Sequence, residues 1–454
     1  MGEPLFMRRK AEEAIRVWHS SQDAHPLLVQ GARRCGKTCL VDHVGRELCG
    51  PDYVKLDFQT DLAGIRRIFD CPTDDVDRIM SNVAEYKRVS LDPARSVVFF
   101  DEVQLDERAL NSLRFFSGSR WRVIASGSLL GVSTRRRSLP FPSGVRLLTL
   151  HPLDFEEFLW AVGEDQMAFD IRSHAASLEP YVLHEEALGL CRRYLAVGGM
   201  PLPVRVLCEG GSWDDVRAEK AEIDATYTAD MTDPTNGISG ISAKRIWESL
   251  PKQLLRASTK KFKYADVVRG GRRERLLEPL EWLSAAGIVT IHELTHDTRP
   301  PLTPHSEVEG SFFKVYVADT GLMFHKFGID PRLVVDAATS QVLSSDFRGA
   351  LAENYVMQAL VANDLKTFYW MPEGSGARGE VDFVYQTREA EVVPVEVKSS
   401  RNVSSKSLAR LMREGRSPFA VRISEREFGR SFDVEGHELR SIPLYAAHCV
   451  GDGV

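Results

Sequence analysis

The sequence predicts an α/β protein of several domains. An N-terminal parallel sheet carries a phosphate-binding loop, a helical middle follows, and a second α/β domain closes the chain. Three observations predict this. Gly31-Ala32-Arg33-Arg34-Cys35-Gly36-Lys37-Thr38 stands between the apolar run Leu27-Leu28-Val29-Gln30 and a stretch beginning at Cys39 that suits a helix. Ser96-Val97-Val98-Phe99-Phe100 runs straight into Asp101-Glu102. Beyond about residue 335 a helical pattern gives way to alternating strands that carry a second set of carboxylates.

A chain of 454 residues is too long for one ordinary core, and roughly 150 residues per domain gives about three. With 43% hydrophobic and 27% charged residues the composition is globular. The net charge of −6 leaves nucleic-acid contact to local basic patches. Seven cysteines, at 35, 39, 49, 71, 191, 208 and 449, form no CxxC pair. That scatter predicts reduced thiols in a cytoplasmic protein. The basic residues near the N-terminus precede no apolar segment, so no signal peptide is expected. No run of about 18 apolar residues predicts a membrane span.

The spacing predicts a helix over 8–20, with Ala11, Ala14, Ile15 and Trp18 on one face. The G-x-x-x-x-G-K-T pattern that follows is a P-loop. Its glycines let backbone N–H groups face phosphates at a helix N-terminus. Gly31, Ala32, Arg33, Arg34, Cys35, Gly36, Lys37, Thr38 and Cys39 are the expected nucleotide contacts. Lys37 is expected at the β- and γ-phosphates, and Thr38 at Mg²⁺. Tyr53–Phe58 alternates as a strand, and 61–90 reads as helices and loops. The run into Asp101-Glu102 is a Walker B strand, buried because apolar throughout. Asp101 is expected to hold Mg²⁺ and Glu102 to act as general base toward a water. The strand Trp121–Ala125 ends in Ser126-Gly127-Ser128, so Ser126 and Ser128 are sensor candidates, or simply turn residues. Arg135-Arg136-Arg137 is a solvated loop or an arginine finger for a neighbouring copy.

These residues carry a resemblance. The chain resembles a bacterial and archaeal family of AAA+-type ATPases that ends in a conserved region of unknown function, DUF4143. The matching stretches are the P-loop, Phe99-Phe100-Asp101-Glu102-Val103-Gln104, Ser126-Gly127-Ser128 and His151–Leu159. Val197-Gly198-Gly199-Met200-Pro201 and Lys314–Leu322 match as well. The resemblance implies ATP binding and hydrolysis and no agreed biological role. One departure is Arg146, which falls one residue later after Gly144 than the family pattern puts its basic residue.

Residues 1–150 are expected to form the AAA+ core and 151–237 its helical lid and connector. Phe155, Phe158, Leu159 and Val162 make a helical apolar face there. Residues 238–334 have helix-turn-helix proportions followed by the start of a strand, which suggests a winged-helix module. Between 258 and 275 seven basic residues (Lys260, Lys261, Lys263, Arg269, Arg272, Arg273 and Arg275) face two acidic ones. With Phe262 and Tyr264 interleaved, this is a candidate contact with phosphates and bases of DNA or RNA, or else a solvated face.

Residues 335–454 form the second α/β domain. Glu353 lies on a helix, Asp382 on one strand, and Glu396 with Lys398 on the next. This order is similar to the PD-(D/E)XK nuclease core over about 345–425. Asp382 and Glu396 are expected to clamp Mg²⁺, with Glu353 completing the site or binding a second ion and Glu380 as an extra ligand. Lys398, on the same face as Glu396, would orient or deprotonate a water; otherwise the two form a surface ion pair. Three readings of the whole compete. One is an Mg²⁺-dependent ATPase that couples nucleotide state to a domain binding or cleaving nucleic acid, and that pairs with copies of itself. Another is an ATP-driven switch whose C-terminal modules only bind partners. The third is an ATP-independent endonuclease whose P-loop binds nucleotide without turnover, and Asp101 with Glu102 argues against it.

Overall fold

A computed structural model describes residues 6–21, 25–128, 142–234, 237–255, 261–305, 313–336, 342–374, 379–398, 406–432 and 436–451. The chain divides into two compact units. The first holds 1–152 with 233–238 and 281–287, and the second holds the rest.

The first unit is built on a five-stranded parallel sheet. Its strands are β1 (Leu27–Gln30), β2 (Tyr53–Asp57), β3 (Val97–Asp101), β4 (Arg122–Gly127) and β5 (Arg146–Thr149), in the order β2-β3-β4-β1-β5. Helices α1 (Ala11–Ser20), α2 (Lys37–Cys49), α3 (Leu62–Ile68), α4 (Val76–Lys87) and α5 (Glu107–Phe116) connect or flank the strands. β3 is buried along its whole length, as an unbroken apolar run in a parallel sheet must be. One hydrophobic cluster gathers Phe58, Phe69, Phe100 and Phe116; another gathers Ile15, Trp18, Val29, Val41 and Phe99. The strand order sets β3, β4 and β1 side by side. Their carboxyl ends share one sheet edge, the edge where open α/β sheets bind ligands.

In the second unit the segment 153–232 is helical: α6 (Phe155–Ala161), α7 (Asp165–Ser177), α8 (His184–Val197), α9 (Pro201–Cys208) and α10 (Trp213–Thr232). Asp154 and Glu157 form a capping box at the start of α6. Phe155, Phe158 and Leu159 are fully buried, so this apolar face is core. Then come α11 (Gly240–Leu254), α12 (Tyr264–Val267) and α13 (Arg273–Ala285), followed by an eight-stranded sheet.

The strands of that sheet are β6 (Val289–Thr295), β7 (Phe313–Val317), β8 (Thr367–Trp370), β9 (Val381–Gln386), β10 (Val392–Val397), β11 (Phe419–Ser424), β12 (Gly429–Phe432) and β13 (Glu438–Pro443). Their order is β12-β13-β11-β10-β9-β8-β6-β7. Helix α14 (Thr320–Lys326) follows β7. The long helix α15 (Ser345–Ala362) is buried from Ala350 to Leu360, which explains its apolar residues on every side. The division at 334/335 drawn from sequence does not coincide with a structural break. The strand start at Ile288–Ile291 is expected to serve a separate wing, but β6 pairs with β8 in parallel register, Leu294 opposite Tyr369. The hairpin thus extends the C-terminal sheet.

Two motif stretches meet in this unit. Asp319 caps α14 through Leu322 N–H and accepts the Gly199 N–H at 2.6 Å. A Cβ on Gly198 would stand 2.4 Å from the Asp319 carboxylate and 2.7 Å from Gly321 Cα. The glycines at 198 and 321 are there because two backbones touch.

Candidate functional site

The P-loop leaves β1 and turns into α2. Gly36, at the N-cap, has φ 98°, a left-handed conformation that glycine adopts without strain. A Cβ on Gly31 would lie 2.2 Å from Leu150 O, so the loop has no room for a side chain there. Arg9 holds the loop from behind. Its guanidinium donates to Cys35 O at 3.1 Å and to His151 O at 2.6 Å. Cys35 is buried in the core behind the loop.

Lys37 Nζ donates to Gly31 O and Ala32 O, both at 3.0 Å, and to Ser128 Oγ at 2.9 Å. The Thr38 hydroxyl donates to Asp101 Oδ1 at 2.9 Å, and Ser126 Oγ donates to the same oxygen at 2.6 Å. Ser126 Oγ also accepts the Glu102 N–H at 3.1 Å. Glu102 has φ 59°, a strained value for a non-glycine residue, and its carboxylate is fixed at both oxygens. Ser128 donates to Oε1 at 2.7 Å, and Gln104 Nε2 donates to Oε2 at 2.5 Å. The expected residues Lys37, Thr38, Asp101, Glu102, Ser126 and Ser128 are therefore one hydrogen-bonded network.

Two contributors escaped the sequence reading. Gln104 was quoted only as part of a motif. Lys55 was assigned nothing, yet its Nζ lies 3.0 Å from Asp101 Oδ2 and 3.1 Å from Asp42 Oδ2. Burial alone would lower the Lys55 pKa, but the two carboxylates hold it above the usual ammonium value. Arg135-Arg136-Arg137 lie outside the described residues. Arg146 begins β5 and is exposed.

As a donor set, Thr38 and Asp101 fit Mg²⁺. A hydroxyl and a carboxylate, both hard oxygens, stand 2.9 Å apart at the loop.

The second unit arranges its acids differently from the expected clamp. Continuing the β9–β10 register, in which Val395 faces Phe383, places Glu396 opposite Asp382. Asp382 Oδ2 accepts the Val397 N–H at 2.8 Å. Glu396 pairs with Lys398 at 2.7 Å. This is not a surface pair, because Glu396 is buried and Lys398 half-buried. Burial would lower the Lys398 pKa, but the hydrogen bond to Glu396 and the charge of Asp382 raise it. That favours a lysine that orients a neighbour over one that deprotonates water.

Glu353 has partners of its own. Its Oε1 accepts from Lys314 Nζ at 3.0 Å and from the Tyr316 hydroxyl. Lys314, fully buried, also meets Glu380 at 2.6 Å. Burial alone would lower its pKa, yet Glu353, Tyr316 and Glu380 hold it well above the ammonium range. Among the described residues no three His, Cys, Asp or Glu side chains come together to hold a metal ion. Of the expected metal ligands, Glu353 is paired with Lys314 and Glu396 with Lys398. Lys314, on a strand that sequence reading placed in another module, takes the charge that a third ligand would have shared.

The basic stretch is also corrected in part. Lys263, Arg269, Arg272, Arg273 and Arg275 are exposed. Phe262 and Tyr264 are buried; Phe262 stacks on Phe313 with centroids 5.5 Å apart. These rings are core and present no face to a base. Lys260 lies outside the described residues.

The parallel sheet, the loop and the two carboxylates at its edge define the first unit as an AAA ATPase-like domain. Residues 23–159 match the family model of the AAA domain. Residues 189–333 match a domain of unknown function, DUF8612, and 348–437 another, DUF4143. No curated protein matches the chain. Among solved structures, similarity is found to the Orc1 protein of Aeropyrum pernix in complex with DNA, at 14% identity over 75% of this chain and 94% of that one, with a TM-score of 0.29. The Cdc6p of Pyrobaculum aerophilum is similar at 12% identity over 64% of this chain and 90% of that one, with a TM-score of 0.26. Among the described residues no helix is long and apolar enough to cross a membrane.

Proposed function

We propose that this chain binds ATP with Mg²⁺ on the Gly31–Thr38 loop, hydrolyses it, and uses the nucleotide state to control a C-terminal domain that contacts nucleic acid. The observation that carries the ATPase reading is the network joining Lys37, Ser128 and Glu102. It couples the phosphate-binding lysine to a carboxylate fixed at both oxygens.

Thr38 and Asp101 would hold Mg²⁺, which neutralises charge on the β- and γ-phosphates. Lys37 would exchange the loop carbonyls for phosphate oxygens. Glu102, fixed by Ser128 and Gln104, orients a water and accepts its proton. Ser126 ties the Asp101 carboxylate to the Glu102 backbone, so the two acids keep their spacing. The scattered cysteines, with no CxxC pair, favour a reducing, cytoplasmic location.

Nucleotide titration and phosphate release test this. Lys37→Ala should abolish binding. Glu102→Gln should bind ATP but hydrolyse it about 10²- to 10⁴-fold more slowly, the usual contribution of a general base. Equal turnover by Glu102→Gln protein would remove Glu102 from the mechanism.

For the C-terminal domain, the pairing of Lys314 with Glu353 favours binding without cleavage. Plasmid, linear and single-stranded DNA should stay intact with Mg²⁺ or Mn²⁺. Cleavage that Lys398→Ala removes would establish a nuclease instead.

A further inference from the structure

Asp101 is held at both oxygens. Thr38 and Ser126 donate to Oδ1, and Oδ2 faces the Lys55 ammonium at 3.0 Å. Lys55 rises from β2, the strand next to β3, and its ammonium lies over the Phe99 ring, 5.6 Å from the centroid. The same ammonium lies 3.1 Å from Asp42 Oδ2 on α2. Asp42 is itself fixed, because the Tyr53 hydroxyl donates to its other oxygen at 2.7 Å.

Lys55 therefore has two anionic partners. One belongs to the proposed metal site, and the other stands outside it. A divalent cation beside Asp101 repels an ammonium resting on that carboxylate, and the repulsion is strong in a half-buried setting. A lysine with only Asp101 as partner would have to give up its counter-ion when metal arrives. Lys55 keeps one, on Asp42, after a small displacement.

We propose that Lys55 is a positioning residue that neutralises Asp101 before metal binds and shifts onto Asp42 when Mg²⁺ arrives, so that the Asp42–Lys55–Asp101 trio sets the Mg²⁺ concentration at which the P-loop loads. The inference rests on the P-loop reading given above. It makes opposite predictions for the two outer substitutions. Lys55→Met removes the competing charge, and the half-saturating Mg²⁺ concentration falls several-fold. Asp42→Asn removes the second partner and confines Lys55 to Asp101, so that concentration rises several-fold. Lys55→Arg keeps the charge and stays near the unsubstituted protein.

The test titrates Mg²⁺ against a fluorescent ATP analogue, with the same analogue measured in EDTA and Mn²⁺ binding followed by EPR. The metal-free nucleotide affinity should not move in either variant. Shifts of the same sign in both variants, no shift, or equal losses in EDTA would overturn the proposal. Should Lys55→Met fail to fold by thermal melting, the sign of the Asp42→Asn shift decides alone. If the intact protein binds no nucleotide, the P-loop reading has failed, and the Mn²⁺ signal of the nucleotide-free variants still reads the trio.

Discussion

Ser128 donates its hydroxyl proton to Glu102 at 2.7 Å while accepting one from Lys37 at 2.9 Å. One small side chain thus connects the group that meets phosphate to the group that handles water. Ser128→Ala should leave nucleotide affinity nearly intact. It should lower kcat by about 10- to 100-fold, the value of one hydrogen bond to a charged group. Steady-state hydrolysis beside equilibrium binding checks this, and weakened affinity with an unchanged kcat would show that Ser128 acts on binding alone.

The Lys314–Glu353 pair is fully enclosed, so removing one partner strands the other. Lys314→Met should cost about 3–5 kcal/mol of stability. The double variant Lys314→Met with Glu353→Gln should regain much of that, because the one carboxylate left without its lysine, Glu380, has 26% of its side chain exposed to water. Denaturant unfolding of the single and double variants measures the difference. Additive losses would mean that the pair is not coupled.

His292 lies in the same layer, its ring 5.0 Å from Phe383 and 5.9 Å from Tyr316. Burial and the charge of Lys314 push its pKa down to about 3, against a small opposing pull from Glu353. An unfolded histidine titrates near 6.5. Below that pH the unfolded chain takes up a proton that the folded chain refuses. Stability is therefore complete above about 6.5 and falls as pH drops toward 3, by on the order of 4 kcal/mol at the end. His292→Phe should flatten that acid limb in urea melts recorded from pH 7 to 4. Superimposable limbs would count against it.

Nucleic-acid binding by 258–275 should depend on charge alone. Changing Arg269, Arg272 and Arg273 to Glu should weaken binding to all sequences and reduce its salt dependence by about one unit per lost phosphate contact. Phe262→Ala should instead destabilise the fold by about 3–5 kcal/mol, as burial of the ring requires. A Phe262→Ala protein of normal stability with lost DNA affinity would reverse that assignment.

What could be read from sequence was what lies close in sequence. The P-loop, the Asp101-Glu102 pair and the serines after β4 each sit at a strand end, and parallel topology brings strand ends together. Lys55, Arg9 and Lys314 carry no local signature. Lys55 reads as the polar half of an alternating strand, Arg9 as the start of a helix, and Lys314 as one residue of a motif with no role. Each acquires its partner through a tertiary neighbour, across 46 residues from Lys55 to Asp101 and 39 from Lys314 to Glu353. Phe262 and Tyr264 misled for a related reason. Aromatics between lysines look the same on paper whether their rings face solvent or Phe313.

The pairing of β6 with β8 bears on how this chain can be taken apart. The segment 348–437 begins after β6 and β7 and stops before β13, which pairs with β11 along six residues. Expressed alone, that segment would bare a strand edge on either side and lose the lysine that neutralises Glu353. The stretch recognisable by heredity is thus smaller than the stretch able to fold. A soluble fragment should begin no later than β6 and run past β13.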